Sequence, residues 1–337
     1  MHELAFPLLV GLILVALAFD FLNGLHDAAN AIATVVATRL LKPVTAVAFA
    51  AFFNFAAYFL SLAVPELHKV ADTIGKGIID KDLVTPAVVF GALVGAMFWN
   101  VVTWLKGIPS SSSHALVGGL VGAGVAHAGL TGVQWTGLNK TLIAIVLSPT
   151  IGMVLAMLIM LVTSWLGLRA TAVGADRTFR ILHLFSSATY CVGHGLNDAQ
   201  KTMGVIAVLL YSTGYLHGDF HVPHWVALSC YVAMGLGTLS GGWKIIETMG
   251  IRITKLSQHQ GFSASTSGTI MLITASWLGI PVSTTHTITG CVIGAGAARR
   301  ASAVRWQVAQ NVAVAWVITI PASAAVAALF YYITTLF

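Results

Sequence analysis

Two short polar segments occur twice in this chain, and both carry residue types that can hold ions. Gly-Ile-Pro-Ser-Ser-Ser-Ser-His at 107–114 returns as Gly-Ile-Pro-Val-Ser-Thr-Thr-His at 279–286, and Gly-Leu-His-Asp-Ala at 24–28 returns as Gly-Leu-Asn-Asp-Ala at 195–199. The offsets of 172 and 171 residues are about half of the 337-residue chain. The chain therefore contains one unit used twice, and its repeated hydroxyls, carboxylates and histidines are the candidates for function.

The hydroxyl-rich segments are suited to binding an anion. A proline followed by serines or threonines favours a helix start, because proline presets the backbone and a hydroxyl caps the first turn. The N–H groups of that turn have no partner within the helix, and together with the helix dipole they attract an anion. Two facing starts, after Pro109 and Pro281, would hold a tetrahedral oxyanion without an arginine. The alternative is that the hydroxyls only cap a helix or bond back to its carbonyls. Duplication in register favours the anion site.

The aspartates of the second repeated segment are suited to binding a cation. Asp27 and Asp198 lie between apolar runs, where a carboxylate is costly and usually functional. Asp27 and Asn30 are three residues apart and share one face of a helix. The glycine before each aspartate predicts an unwound stretch whose carbonyls help to bind a small cation. Carboxylate and amide oxygens suit Na⁺, whereas a carboxylate beside histidine suits proton exchange. The alternative is a buried aspartate that caps a broken helix.

The two copies differ in charge. Lys201 stands where the first copy has Asn30, and Gln200 stands where it has Ala29. Lys201 has three open interpretations: it neutralises Asp198, it approaches the anion, or its ammonium reaches an interface. The histidines that close the hydroxyl clusters also keep both a packing and a ligand interpretation; they are His114 and His286.

Composition places these segments in a membrane. The chain is 57% hydrophobic and 8% charged, against about 25% charged residues in a soluble domain. Runs without Asp, Glu, Lys or Arg include 141–168 and 306–337, and about 20 apolar residues suffice to cross a bilayer as a helix. A large soluble helical core is excluded because too little charged surface remains. The net charge of +6 indicates membrane topology and not nucleic-acid binding. We expect a multi-pass protein of the cytoplasmic membrane.

The apolar segments predict the same order of elements in both halves. We predict a first repeat over 1–166, a cytoplasmic linker over 167–180 and a second repeat over 181–337. Whether the second repeat is inverted depends on the parity of its crossings, which the pattern does not settle. Short segments interrupted by Gly or Pro at matched positions are typical of a transporter binding site. The predicted segments are 4–22, 27–41, 44–64, 84–105, 108–128 and 140–166, then 178–196, 199–216, 222–243, 262–278, 280–298 and 306–335.

No resident cofactor or metal centre is predicted. The three cysteines are widely spaced inside apolar runs and are interpreted as small core residues. His217, His221 and His224 share a short loop with Asp219, but their spacing matches no strong zinc pattern. A solvated loop is the preferred interpretation, and the role of these histidines stays open.

The repeated motifs resemble those of the inorganic phosphate transporter family known as PiT. The resemblance covers nearly the whole chain, with four motifs in order. It implies an all-α polytopic membrane protein with two inverted repeats, discontinuous helices and re-entrant hairpins. It also implies two sets of site residues. The phosphate set is Ser110, Ser111, Ser112, Ser113, Ser283, Thr284 and Thr285. The cation or proton-coupling set is Asn23, His26, Asp27, Asn30, His194, Asn197, Asp198, Gln200 and Lys201.

The form of the motifs resembles the bacterial low-affinity branch of that family. This branch has His26 in the first copy and Gln200-Lys201 in the second. It implies proton-coupled uptake, with phosphate often carried as a neutral complex with a divalent metal. The sodium-coupled branch has Asn where His26 stands, which disfavours Na⁺ as the coupling ion without excluding it. The family also includes sulfate permeases. A carboxylate near the anion would accept the proton of hydrogen phosphate and repel sulfate, so the aspartates favour phosphate.

The sequence therefore predicts a secondary transporter that imports inorganic phosphate by proton symport, and not an enzyme. The expected partners are phosphate and the lipid bilayer, with no nucleic acid; formation of homo-oligomers stays open. An intramembrane hydrolase is disfavoured, because no His-Glu-x-x-His motif is present and four consecutive serines do not single out a nucleophile. An anion channel is the third alternative; it would show passive currents without proton dependence.

Overall fold

The structure, a computed structural model, describes residues 5–80 and 83–336. The outermost residues of the two predicted repeats, 1–4 and 337, lie outside this range, as do residues 81 and 82. Within it the chain is almost entirely helical, and its β-structure is one isolated bridge between Ile79 and Val133. The predicted all-α class is confirmed.

Across the described residues, each half supplies six α-helices in the same order, with the third one short. The first half forms α1 (Phe6–Ala37), α2 (Pro43–Ala63), α3 (Lys69–Gly77), α4 (Pro86–Lys106), α5 (Ser112–Ala128) and α6 (Trp135–Leu166). The second half forms α7 (Ala172–Ser212), α8 (His224–Ser240), α9 (Trp243–Glu247), α10 (Gln258–Leu278), α11 (Thr284–Arg299) and α12 (Trp306–Thr334). A π-helical turn, Thr248–Arg252, extends α9.

The two halves interlock in matching pairs. Helix α5 packs against α12 as α11 packs against α6, and α1 packs against α8 as α7 packs against α2. In each of these pairs the halves exchange roles, as an approximate two-fold axis would produce. Because these contacts join one half to the other, the halves form one body.

The predicted unwound stretches before the aspartates are wrong, because α1 and α7 run unbroken through both motifs. A continuous helix satisfies its own backbone, which apolar surroundings demand. The glycines serve close helix crossings instead. A Cβ atom on Gly24 would lie 2.2 Å from the carbonyl oxygen of Met234, and one on Gly195 would lie 2.5 Å from that of Asn54. Predicted segments on either side of each motif therefore merge into one long helix.

The connection between the halves is shorter than predicted. Helix α6 ends at Leu166 and α7 begins at Ala172, so residues 172–180 of the predicted linker already belong to α7. The side chain of Thr171 caps this helix by accepting a hydrogen bond from the backbone N–H of Gly174 at 3.2 Å. Because its N-cap is Thr171, α7 begins several residues before the apolar segment that was predicted from residue 178.

The long helices are suited to a bilayer. Among the described residues, six helices are long and apolar enough to cross a membrane, or seven if α8 and the segment from Trp243 to Gly250, bent by 69°, form one span. The outer helices α6 and α12 expose large apolar side chains, such as Leu161 and Val317, as a lipid-facing surface requires. The chain is a multi-pass membrane protein.

Candidate functional site

The polar residues of the repeated Asp motifs form one buried stripe on α1 and another on α7. Successive members are four and three residues apart, so they lie on one face of each helix. Every one of them is at most 2% exposed. The stripes are Asn23, Asp27 and Asn30 on α1, and His194, Asp198 and Lys201 on α7.

The helical hairpins α4–α5 and α10–α11 turn at matching glycines. Gly107 and Gly279 follow α4 and α10 with φ of +65° and +67°, a left-handed conformation that glycine adopts without strain. A threonine of the opposite half holds each turn. Thr248 Oγ1 donates to the Gly107 carbonyl at 3.1 Å, and Thr73 Oγ1 donates to the Gly279 carbonyl at 2.7 Å.

The second helix of each hairpin begins beyond the proline, at Ser112 in α5 and Thr284 in α11. Ser111 and Ser283 are the N-caps. Their hydroxyl oxygens each accept a bond from the backbone N–H three residues later, at 3.2 Å in both hairpins. These two hydroxyls therefore have the capping role. The other N–H groups of each first turn have no intrahelical acceptor and could donate to an anion.

The two helix starts meet the two aspartates in equivalent contacts. Ser112 Oγ donates to Asp27 Oδ2 at 2.8 Å, and Thr284 Oγ1 donates to Asp198 Oδ2 at 3.0 Å. Thr284 Oγ1 also lies 3.5 Å from Asp27 Oδ2, and Ser112 contacts the amide oxygen of Asn23. The hydroxyls and carboxylates of both halves thus form a single buried cluster.

A second pair of contacts crosses between the halves. The Asn30 amide donates to Thr285 Oγ1 at 2.8 Å, and the Lys201 ammonium donates to Ser113 Oγ at 2.5 Å. Lys201 also contacts Asp198. Of the interpretations left open by the sequence, the structure therefore supports neutralisation of Asp198 within the cluster; the ammonium does not extend to an interface.

A histidine accompanies each aspartate from a different position. His26 Nδ1 lies 3.1 Å from Asp27 Oδ1, and its Nε2 lies 3.1 Å from Thr103 Oγ1. His194 Nε2 lies 3.3 Å from Asp198 Oδ2. Each carboxylate therefore lies beside an imidazole nitrogen.

The cluster also offers a cation position. Asp27, His194 and Asp198 can each direct one ligand atom so that these atoms lie within 4.8 Å of one another. Two carboxylates and an imidazole can bind a divalent metal or a small monovalent cation. All three residues are at most 1% exposed, so the position is closed to solvent in this conformation.

Three predicted site residues have other partners. Ser110 Oγ donates to Thr103 Oγ1 at 2.8 Å and lies 3.4 Å from His26 Nε2. Asn197 donates to Ser276 Oγ at 3.3 Å. Gln200 accepts a hydrogen bond from the backbone N–H of residue 70 at 3.2 Å and donates to the carbonyl of residue 67 at 2.5 Å. Its contacts are therefore with the start of α3 and not with the aspartates.

The histidines that close the hydroxyl clusters pack together. The ring centroids of His114 and His286 lie 4.2 Å apart, and His286 stacks on Trp316 with centroids 3.7 Å apart. The two histidines lie in the first turns of α5 and α11, where the two hairpins meet, and Trp316 belongs to α12. The contacts describe a packing role.

One buried carboxylate was missed by a search for repeated residues. Asp20 lies on α1 two turns before Asp27 and is fully buried. Its Oδ1 accepts from Thr202 Oγ1 at 2.9 Å, whereas Oδ2 has no hydrogen-bond partner within the described range. The matching position of the second half is Cys191, so duplication gave no indication of it. A carboxylate within an apolar run was the available indication.

A third repeat also escaped detection. Lys-Val-Ala-Asp-Thr at 69–73 corresponds to Lys-Ile-Ile-Glu-Thr at 244–248. These segments supply the two threonines that hold the hairpin turns. The two copies are short and 175 residues apart, so they do not align at the offsets of 171 and 172 that relate the other motifs.

Comparison with known proteins shows the family to which the chain belongs. The family model described as the phosphate transporter family matches residues 23–327. A probable low-affinity inorganic phosphate transporter of Rhizobium meliloti (strain 1021) is 62% identical, with 98% of this chain and 97% of that protein covered. One from Bacillus subtilis (strain 168) is 40% identical, with 96% of each covered.

A solved structure has the same fold. It is described as the sodium-dependent phosphate transporter and is similar to this chain with a TM-score of 0.87, covering 98% of this chain and 100% of that one. The sequences are 24% identical. At this identity the likeness establishes the fold alone.

Proposed function

The chain belongs to the phosphate transporter family, and we propose that it imports inorganic phosphate by proton symport across the cytoplasmic membrane. It is a multi-pass transporter and not an enzyme. The observation that carries the proposal is the matched contact of each hairpin's helix start with a buried aspartate, Ser112 with Asp27 and Thr284 with Asp198.

The helix starts supply the groups that bind the anion. Hydroxyls and free first-turn N–H groups of α5 and α11 approach the same cluster from the two halves, and the positive ends of both helix dipoles favour negative charge there. In this conformation the hydroxyls donate to Asp27 and Asp198. We infer that phosphate takes over these donors and gives its own proton to a carboxylate. Sulfate at neutral pH has no proton to give, so the same carboxylates repel it.

The coupling cation is proposed to be a proton. Each aspartate lies within 3.3 Å of an imidazole nitrogen, from His26 or His194. An imidazole beside a carboxylate can take a proton from it or return one, which is the chemistry that proton coupling requires. Asn23 and Asn30 add amide oxygens that would suit Na⁺, and sodium coupling is therefore the competing proposal.

A divalent metal is proposed as cargo that travels with phosphate. Asp27, His194 and Asp198 can bring three ligand atoms together beside the hydroxyls. A metal bound there would neutralise the phosphate charge before it crosses the low-dielectric interior. The metal is treated as part of the substrate.

Alternating access would use the two hairpin turns, and we infer that the repeats are inverted. A cavity of about 520 Å³ borders Gly107 and Thr248. Another of about 370 Å³ borders Gly279 and Thr73. The site between the turns is closed, since its residues are at most 5% exposed. Each cavity would lead to the site when its own hairpin moves.

The proposal is tested by radiolabelled phosphate uptake in proteoliposomes that contain the purified full chain. A pH gradient, acid outside, and a sodium gradient are imposed separately. We expect accumulation with the pH gradient alone, stimulation by Mg²⁺, and no competition by sulfate. Accumulation with the sodium gradient alone would replace protons by Na⁺ as the coupling ion. Sulfate accumulation would overturn the substrate, and flux that only follows the phosphate gradient would indicate a channel.

A further inference from the structure

We propose that the Lys201 ammonium permanently occupies, in the second half, the position that a transported cation occupies beside Asn30 in the first. The carrier then needs one cation fewer per phosphate than its two-fold architecture would provide for. This inference rests on the proposed transport of phosphate, whose site it shares, and the uptake experiment above decides separately between H⁺ and Na⁺ as the coupling ion.

The equivalence of the two positions follows from their contacts. Asn30 and Lys201 are matched by the repeat, as are Thr285 and Ser113. Asn30 of the first half donates to Thr285 of the second at 2.8 Å, and Lys201 of the second half donates to Ser113 of the first at 2.5 Å. The two side chains therefore reach the same place in their respective halves.

Lys201 fills its position completely. It is 2% exposed and makes three contacts: with Asp198, with Ser113 Oγ, and with the carbonyl oxygen of Val282 at 2.9 Å. An ammonium has three donors, and each has an oxygen acceptor here. A carboxylate, a hydroxyl and a backbone carbonyl are also the oxygens that would coordinate a small cation. The fixed ammonium contacts one oxygen of each group, and Oδ2 of Asp198 remains on the side of His194.

The first half has no ammonium at this position and keeps one buried oxygen without a partner in the described part of the chain. Asn30 is neutral and uses its amide nitrogen for Thr285, while its Oδ1 has no hydrogen-bond partner among the residues that the structure describes. This oxygen is buried, since Asn30 is 1% exposed. A buried and unpaired acceptor near Asp27 is costly unless a ligand completes it. The exchangeable cation is therefore assigned to the Asp27 side.

A purely structural role for Lys201, tying α7 to the first hairpin, makes a different prediction. If Lys201 only ties the helices together, replacing it lowers the stability of the protein, and dissolved cations do not restore phosphate binding. If Lys201 is a built-in cation, replacing it makes phosphate binding depend on a dissolved cation. The test therefore compares substitutions that restore the Asn30 arrangement with substitutions that do not.

Four variants of the full chain serve the test. K201N copies the first half, K201M keeps length without an oxygen or a charge, and K201R keeps the charge. K255N makes the same change as K201N at an exposed lysine before α10 and is the matched control. Phosphate binding is measured on purified protein at fixed pH in choline, Na⁺ and Li⁺ media. Net charge per phosphate is measured from reversal potentials in proteoliposomes.

We expect K201N to bind phosphate about tenfold or more weakly in choline and to regain affinity in millimolar Na⁺ or Li⁺. When it transports, it should move one more positive charge per phosphate than the wild type. K201M should lose affinity without rescue by either cation, K255N should match the wild type, and K201R should keep the wild-type charge ratio.

Unchanged phosphate affinity in K201N, or equal losses in folded K201N and K201M that no cation restores, would overturn the inference. Folding is checked by the melting temperature. If K201N is not recovered folded, an altered charge ratio in K201R overturns it in the same way. A wild-type protein that moves no phosphate would instead mean that the proposed function fails. Wild-type uptake with an indifferent K201N leaves that function intact and refutes only the role of Lys201.

Discussion

The two halves of the site agree in their hydroxyl–carboxylate contacts and disagree in their charges. Ser112 lies 2.8 Å from Asp27, and Thr284 lies 3.0 Å from Asp198. Beyond these pairs the halves diverge, because α1 continues with a neutral Asn30 and α7 with Lys201. On the proposed function, the duplicated helix starts would bind the anion from two sides, and the side chains that are not duplicated would set the cation chemistry.

The divergence extends along both helices. The first half has a second buried carboxylate, Asp20, at the position where the second half has Cys191. The histidine that accompanies each aspartate also comes from a different position, one residue before Asp27 but four before Asp198. The two halves of the protein therefore differ in their buried ionisable groups although their helices correspond.

The largest expected effect separates the two aspartates. Asp27→Asn and Asp198→Asn should each abolish proton-coupled uptake, but D198N also strands the Lys201 ammonium in the interior. Removing one partner of a buried ion pair costs about 3–5 kcal/mol, so D198N should melt at a lower temperature than D27N. The double variant D198N/K201M should recover that stability. Uptake assays and thermal melting in detergent provide the measurement. Equal melting temperatures would show that the halves do not differ as described.

The next effect should be equal in both halves. Ser112→Ala and Thr284→Val each remove a hydroxyl that donates to an anion, and a hydrogen bond to a charged group contributes about 1.5–3 kcal/mol. Phosphate affinity should therefore fall about ten- to hundredfold in each, measured by equilibrium binding. Thr150→Val removes an exposed hydroxyl of α6 and is the control. Loss in one half only would contradict a shared anion site.

Part of this arrangement could be predicted from the sequence. The repeated motifs indicated that the hydroxyl clusters, Asp27 and Asp198 are functional together. In a duplicated chain, residues matched by the repeat take equivalent positions in the two halves. Helix existence followed from apolar runs in a membrane. The pattern alone could not show that α1 and α7 continue through Gly24 and Gly195. A glycine is needed at these positions because backbone atoms of other helices lie close to it.

Side-chain partners were harder to predict than positions. Gln200 directly precedes Lys201, yet it faces α3 and caps its start. Ser111 is next to Ser112, but its hydroxyl oxygen caps α5 by accepting a hydrogen bond from the backbone N–H of His114. Which member of a polar run faces the site depends on where the helix begins, and sequence fixes that to within a few residues at best.

A smaller effect tests the close crossings. Gly24→Ala and Gly195→Ala would place a methyl group 2.2 Å and 2.5 Å from a backbone oxygen, and overpacking costs about 1–3 kcal/mol. Both variants should melt at lower temperatures, G24A more than G195A. Gly11→Ala on α1 meets nothing within 4 Å and should be neutral or stabilising. A stable G24A would mean that α1 and α8 are further apart than described.

The smallest effect concerns the hairpin turns. Thr73→Val and Thr248→Val each remove one hydrogen bond to a glycine carbonyl, a net contribution of about 0.5–1.5 kcal/mol. Because neither threonine belongs to the phosphate cluster, both variants should change the rate of uptake and keep the phosphate affinity. Initial rates and equilibrium binding separate these quantities. A large loss of affinity in either variant would place the turns within the binding site.

The most direct test of the central claim is an experimental structure of the full chain with arsenate, a phosphate analogue located by its anomalous scattering. The account predicts one arsenate between the starts of α5 and α11, in contact with Ser112 and Thr284 and beside Asp27 and Asp198. Arsenate bound to one hairpin alone, or away from both helix starts, would contradict it.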